Sequence, residues 1–248
     1  MAALALGLPK VIGHRGAAAT APENTLAGLR RAHLLGAAWV EFDVKLTADG
    51  RCILMHDDTL DRTTNGHGPV AAASFAEIRQ LDAGIWFDAS FAGERVPSLE
   101  DAFALCDSLS LGCNIEIKPC PGREAETAER VVVAIQAHWP LDKPLPLVSS
   151  FNRECLLAAN AAAPDFLPLG HLAQALSHRW REEAKELACS TIHCDHRRLT
   201  RVDVKEIKGS RYPVLVYTVN DGARARELFD WGVDAVFSDV PDVVLAFA

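Results

Sequence analysis

Two histidines, two cations and three carboxylates in this chain have the types and spacing for phosphoester chemistry. His14 and Arg15 follow the apolar run Val11 to Gly13, and His56 closes a second apolar run, RCILMH. Glu41 and Asp43 stand two apart in WVEFDV, and Glu116 and Lys118 stand two apart in NIEIK. Residues two apart in a strand share a face, so each pair projects to one side. If both faces point into one interior, three carboxylates converge, and they repel one another unless a cation lies between them. Hard carboxylate oxygens suit Mg²⁺ or Ca²⁺, which makes Glu41, Asp43 and Glu116 candidate metal ligands. Glu116 alone, so near Lys118, reads more simply as an ion pair; three acids at matching strand ends favour the metal. Imidazole titrates near neutral pH, so His14 and His56 are the candidate acid and base. Arg15 and Lys118 supply the positive charge that holding and neutralising a phosphate group requires.

Placing these residues together requires a particular scaffold. Eight strand-like runs alternate with stretches of helical period: KVIG (10–13), WVEFDV (39–44), NIEIK (114–118), PLVSSF (146–151), FLPLGHL (166–172), STIHCD (190–195), PVLVYTV (213–219) and DAVFSD (234–239). Helices are expected over 25–35, 123–137, 153–162, 178–188, 201–208 and 223–231, with another opened by Ser98 and Asp101. Strict alternation of this count argues for a TIM (β/α)8 barrel in one domain over 1–248. A doubly wound open sheet is the competing fold, but the Gly-rich dinucleotide turn it usually carries is missing. One interval breaks the rhythm. After the second strand come RCILMHDD and then roughly forty residues before the next barrel helix, too long for an ordinary loop. It holds a turn signal at Asn65-Gly66, a capping box at Ser74 and Glu77, and the aromatics Trp86, Phe87 and Phe91. A small cap over the barrel mouth, at about 57–97, is expected from these signals.

Composition narrows the partners. A chain of 248 residues, 49% hydrophobic, can bury a large core. Its net charge of −8 is spread along the sequence with no basic block, which argues against nucleic acid. The opening MAALALGLPK has no basic segment of a signal peptide and no run reaches membrane-spanning length, so cytoplasmic location without membrane insertion is expected. The seven cysteines lack paired spacing and are read as reduced. His193-Cys194-Asp195-His196 looks metal-like, but strand alternation turns Cys194 and His196 away from His193 and Asp195, so a structural or supporting role is expected. His33, His67, His138, His171 and His178 are read as structural. Oligomeric state, monomer or homodimer, stays open.

The motifs HRG, PENT, EFDV, HDDTLDRTTNG, NIEIKP, SSF, VYTVN and GVDAVFSDVPD occur in this order between Val11 and Asp242. In this the chain resembles the glycerophosphodiester phosphodiesterase family, and most closely its bacterial cytosolic members. The resemblance implies a barrel with an inserted cap, a divalent metal on Glu41, Asp43 and Glu116, His14 and His56 as acid and base, and Arg15 and Lys118 on the phosphate. It implies cleavage of small glycerophosphodiesters to sn-glycerol 3-phosphate and an alcohol such as choline, ethanolamine or glycerol. By analogy, a hydroxyl of the substrate's own glycerol attacks phosphorus to give a cyclic phosphate that water opens. Ser150, Phe151 and Trp86 are expected in the substrate pocket, with Tyr217 as an aromatic wall where many members carry Trp. Glu23 and Asn24 of PENT read either as partners of Arg15 or the metal, or, for Asn24, as the cap of the first helix; Asn220 reads as a cap as well. Two alternatives accompany this reading: a lysophospholipase D acting on lysophospholipids, and a catalytically silent barrel that binds a phosphate ligand.

Overall fold

The computed structural model describes residues 6–164 and 166–248. Eight parallel strands close on themselves: β1 (Val11–Gly13), β2 (Trp39–Leu46), β4 (Gly112–Ile117), β5 (Leu147–Ser150), β6 (Leu169–Ala173), β7 (Cys189–Asp195), β8 (Val214–Tyr217) and β9 (Ala235–Ser238). Closure comes from β1, which pairs in parallel with both β2 and β9. The helices expected between the strands are present: α1 (Leu26–Leu34), α3 (Leu99–Ser108), α4 (Glu124–His138), α5 (Arg153–Ala162), α6 (Trp180–Glu186), α7 (Arg201–Gly209) and α8 (Gly222–Trp231), followed by a short α9 (Pro241–Leu245). This is a TIM barrel, as the alternation of elements requires.

Two apolar layers hold it. Between strands and helices lies a core that includes Val40, Phe42, Val44, Leu99, Phe103, Ile115 and Val131, each at most 1% exposed. A fully buried side chain of this size contributes about 1.5–3 kcal/mol. Inside the barrel, Ile12, Trp39, Leu147, Leu215 and Ala235 form a second cluster that fills the end where the strands begin. The opposite end, where the strands finish, is left for polar side chains.

β2 is the longest strand, and all eight of its residues are buried. It outruns its neighbours and turns back through Ala48-Asp49-Gly50 into β3 (Cys52–Leu54), which pairs with it antiparallel, Val44 opposite Leu54. That hairpin carries His56 to the mouth. The segment 57–97 follows, with two short 3-10 turns and α2 (Phe75–Ile78), whose capping box of Ser74 and Glu77 is formed. It has a small core of its own, in which Leu60, Val70, Ile78, Ala83 and Val96 pack on Ile53 and Met55. It rejoins the barrel where Leu54 N donates to Pro97 O at 3.0 Å, and Ser98 and Asp101 then cap α3. All seven cysteines are buried and unpaired. Among the described residues, no helix is long and apolar enough to cross a membrane.

Candidate active site

The register of β2 against β4 sets the centre of the site. Glu41 lies beside Asn114 and Asp43 beside Glu116, so the two faces expected to converge do so. One carboxylate oxygen from each of Glu41, Asp43 and Glu116 lies within 4.8 Å of the others. Burial pushes the Glu41 carboxyl up to about 8, reinforced by the charge on Asp43, and burial with Asp43 raises Glu116 in the same direction. Asp43 goes the other way. Burial opposes its charge, but Arg15, Lys118 and His56 outweigh it and hold the carboxyl well below the usual range. Glu41 Oε1 is buried without a hydrogen-bond partner. A buried oxygen left unpaired is costly, and three crowded carboxylates with a free oxygen suit a divalent cation of the hard type. These residues therefore fit a metal of the Mg²⁺ or Ca²⁺ kind.

The histidines flank this cluster. His14 follows β1, with its Nδ1 2.7 Å from Asp239 Oδ1 and its Nε2 4.0 Å from Glu41 Oε2. Burial works against its protonation, yet Asp239 and Glu41 outweigh burial and its pKa is raised. His56 places Nδ1 2.6 Å from Asp57 Oδ1, and burial lowers its pKa. A carboxylate only accepts, so in both rings Nδ1 donates and Nε2 is left toward the site.

The cations complete it. Arg15 sits at φ +49, with its backbone N–H donating to Glu41 Oε2 at 2.8 Å, its Nη1 on Glu23 Oε1 at 2.8 Å and its Nε 3.2 Å from Asp43 Oδ2. Lys118 Nζ reaches Glu116 Oε1 at 2.8 Å and Asp43 Oδ1 at 3.3 Å. Gly16 lets the chain leave the strand: at φ +90, a Cβ there would stand 2.4 Å from the Gly28 backbone carbon.

A pocket of about 210 Å³ opens at this point, lined by His14, Arg15, Glu41, His56, Glu116 and Lys118 on one side. Phe151 and Tyr217 line it too, their rings edge to face at 5.6 Å, with Tyr217 Oη donating to Ala173 O at 2.9 Å. The other two residues expected in the pocket lie elsewhere. Ser150 Oγ is turned to Ile117 O at 2.7 Å, and it is Ser149 that faces the pocket. Trp86 is not among the lining residues; its Nε1 donates to Ala83 O and its ring packs on Phe87. The structure decides between the two readings of Asn24 and corrects the cap reading of Asn220. Thr25, not Asn24, caps α1; Asn24 instead spans Asp43, donating from Nδ2 to Oδ2 at 2.9 Å and accepting the Asp43 N–H at 3.0 Å. Likewise Asp221 caps α8, while Asn220 donates to Asp239 Oδ2 at 2.6 Å and accepts its N–H.

Four residues escaped the sequence reading as members of the site. Asp57 and Asp239 each hold a histidine, and both stood within polar strand-end motifs, HDD and FSD, where the rule used for His14 would have found them. Asn114 and His193 face the pocket from deep in the barrel, 1% and 0% exposed, and Asn114 Oδ1 and His193 Nδ1 have no partner among protein groups. Their only signal was inward parity on β4 and β7.

A parallel barrel with an acidic, metal-fitted centre between two carboxylate-held histidines and two phosphate-competent cations defines a class of phosphoester-cleaving enzyme. Sequence comparison gives the family: residues 14–243 match the glycerophosphoryl diester phosphodiesterase family, and the chain belongs to it. It is 35% identical over 240 residues to the glycerophosphodiester phosphodiesterase of Caldanaerobacter subterraneus subsp. tengcongensis, covering 95% of this chain and 96% of that protein. It is 32% identical over 250 residues to the Bacillus subtilis glycerophosphodiester phosphodiesterase, covering 94% and 84%. An Oleispira antarctica phosphodiesterase, solved in complex with the product sn-glycerol-3-phosphate, superposes with a TM-score of 0.94 at 40% identity, covering 97% of each chain. The chain is thus an enzyme of the glycerophosphodiester phosphodiesterase kind.

Proposed function

We propose that this enzyme hydrolyses small glycerophosphodiesters, such as glycerophosphocholine and glycerophosphoethanolamine, to sn-glycerol 3-phosphate and the free alcohol. The observation that carries the reading is the meeting of Glu41, Asp43 and Glu116 in one pocket with His14, His56, Arg15 and Lys118. The product bound to the Oleispira antarctica relative, in so similar a fold, supports the same product here. Glu41, Asp43 and Glu116 would hold a divalent cation, Mg²⁺ or Ca²⁺. When bound, such an ion supplies positive charge for the phosphoryl oxygens and the attacking oxygen.

The chain's own groups divide the remaining work. Arg15 and Lys118 bind and neutralise the phosphodiester, and both have raised pKa values that keep them charged, since neighbouring carboxylates outweigh their burial. His14 and His56, each fixed by a carboxylate on Nδ1, exchange protons at Nε2, one taking a proton from the attacking oxygen and the other giving one to the leaving alcohol. An attacking hydroxyl from the substrate's own glycerol is compatible with these roles. Phe151 and Tyr217 form an apolar wall beside the phosphate groups. The segment 57–97 acts as a cap within a single domain, its small core pinning the loop that bears His56 and Asp57.

Release of sn-glycerol 3-phosphate from glycerophosphocholine, measured with each metal in turn and with excess chelator, tests the proposal. Turnover that disappears with chelator and returns with Mg²⁺ or Ca²⁺ is expected; full activity in chelator refutes the metal's role. Absence of turnover on all glycerophosphodiesters, with a phosphate ligand still bound, would establish the silent barrel. A faster rate on lysophosphatidylcholine would establish the lysophospholipase reading.

A further inference from the structure

We infer that Arg62 is a positioning residue, one guanidinium that orients both His56 and Arg15 through the carboxylates of Asp57 and Glu23. The inference rests on the functional reading above for the roles of His56 and Arg15. The geometry is a double fork. Arg62 Nε and Nη2 donate to Asp57 Oδ2 and Oδ1 at 2.6 and 2.9 Å, while Nη1 and Nη2 donate to Glu23 Oε2 and Oε1 at 2.7 and 2.8 Å. The two oxygens met by Nη2 are the ones that matter. Asp57 Oδ1 also accepts from His56 Nδ1, and Glu23 Oε1 also accepts from Arg15 Nη1. A single nitrogen therefore bridges the anchor of the histidine and the anchor of the arginine.

A stabilising ion pair alone does not account for this arrangement. The Arg62 side chain is 43% exposed, and exposed pairs add little to stability. Glu23 and Asp57 side chains are better shielded, at 11% and 27%. Only the planar fork of arginine can hold two carboxylates bidentately at once; a lysine offers one nitrogen. Arg62 is itself held in place. Leu60 beside it is buried with its N–H on Gly68 O at 2.9 Å, and Thr63 and Thr64 are each only 6% exposed. The hydrogen bonds from Arg62 hold Asp57 well below the usual carboxylate range, and they help keep Glu23 low against its burial. Both anchors thus stay ionised and fixed. The segment 57–97 then contributes more than cover: it delivers the brace that sets the angle of two groups on the barrel.

Steady-state kinetics and imidazole NMR together test this. Turnover of glycerophosphocholine by the unaltered enzyme first tests the functional reading by itself. Arg62→Gln is expected to lower kcat/KM by about tenfold to a hundredfold, the usual effect of loosening a supporting group, with Arg62→Lys recovering only part. Asp57→Asn is expected to cost less in the Arg62→Gln background than in the unaltered enzyme. The ¹⁵N shifts of His56 are expected to report a single Nδ1–H tautomer in the unaltered enzyme and an averaged ring in Arg62→Gln. Kinetic constants within about twofold of the unaltered enzyme, or full recovery by Arg62→Lys, overturn the inference. So does a loss that follows a lowered thermal midpoint while the His56 signals stay unchanged. If Arg62→Gln does not fold, Arg62→Lys and the His56 signals of Asp57→Asn decide. An enzyme without turnover whose His56 ring nonetheless loosens in Arg62→Gln would refute the functional reading and leave the brace standing.

Discussion

His193 gives a quantitative test of how the barrel interior treats charge. Its ring is fully buried between Gly170 and Phe237, with Nε2 2.9 Å from Thr191 Oγ1, and burial drives its pKa down to about 3, with His171 adding to the effect. In the unfolded chain it titrates near the ordinary histidine value, about 6.5. Between these values the unfolded state binds a proton that the native state refuses. Stability therefore falls as pH drops below about 6.5, and continues to fall until the native ring titrates near pH 3. At about 1.36 kcal/mol per unit, the loss relative to neutral pH reaches about 2.7 kcal/mol at roughly pH 4.5. Urea unfolding of the unaltered enzyme and of His193→Gln, repeated from about pH 7.5 to about pH 4.5, isolates the contribution as a difference of slopes. The variant starts at lower stability if the Thr191 contact is lost, but its curve is expected to be flatter by about that amount. A difference between the two proteins that stays constant with pH refutes the reasoning and would mean that the buried ring reaches solvent.

Other expectations concern the site directly. His14→Ala and His56→Ala are each expected to lower kcat by about 10²–10⁴-fold with the fold intact by circular dichroism, the range for a lost proton-transfer group. Addition of Mg²⁺ or Ca²⁺ at a hundredfold excess over its Kd is expected to stabilise the protein by about 2.7 kcal/mol, a rise of roughly 5–10 °C in thermal midpoint. Glu41→Gln should abolish that rise, as read by differential scanning calorimetry.

The fold was legible because the barrel strands are short, mostly apolar runs and the helices carry helical periodicity, several of them with ordinary caps. WVEFDV, NIEIK and STIHCD fall on strands, and Ser74 and Ser98 cap as their spacing demands. The acidic cluster was legible for a similar reason, since a period of two fixes which residues share a face. Parity does not fix rotation about a side chain or which of two neighbours turns inward, and there the reading failed. Ser149 and Ser150 are adjacent and chemically equal; only the pairing of Ser149 beside Glu116 decides which one faces the pocket. Asn24 could be read either as a cap or as a partner of the site, and only the structure decides: Thr25 caps the helix and Asn24 is on Asp43. Trp86 belongs to a segment whose placement depends on long-range packing rather than on any local pattern.

The apolar cluster of Ile12, Trp39, Leu147, Leu215 and Ala235 plugs the end of the barrel where the strands begin, so the pocket lies toward the other end. On the function proposed above, reactant, water and products would come and go at the end where the strands finish. If Arg15 and Lys118 hold a phosphorylated product as proposed, that product would exclude the next reactant by occupancy until it departs.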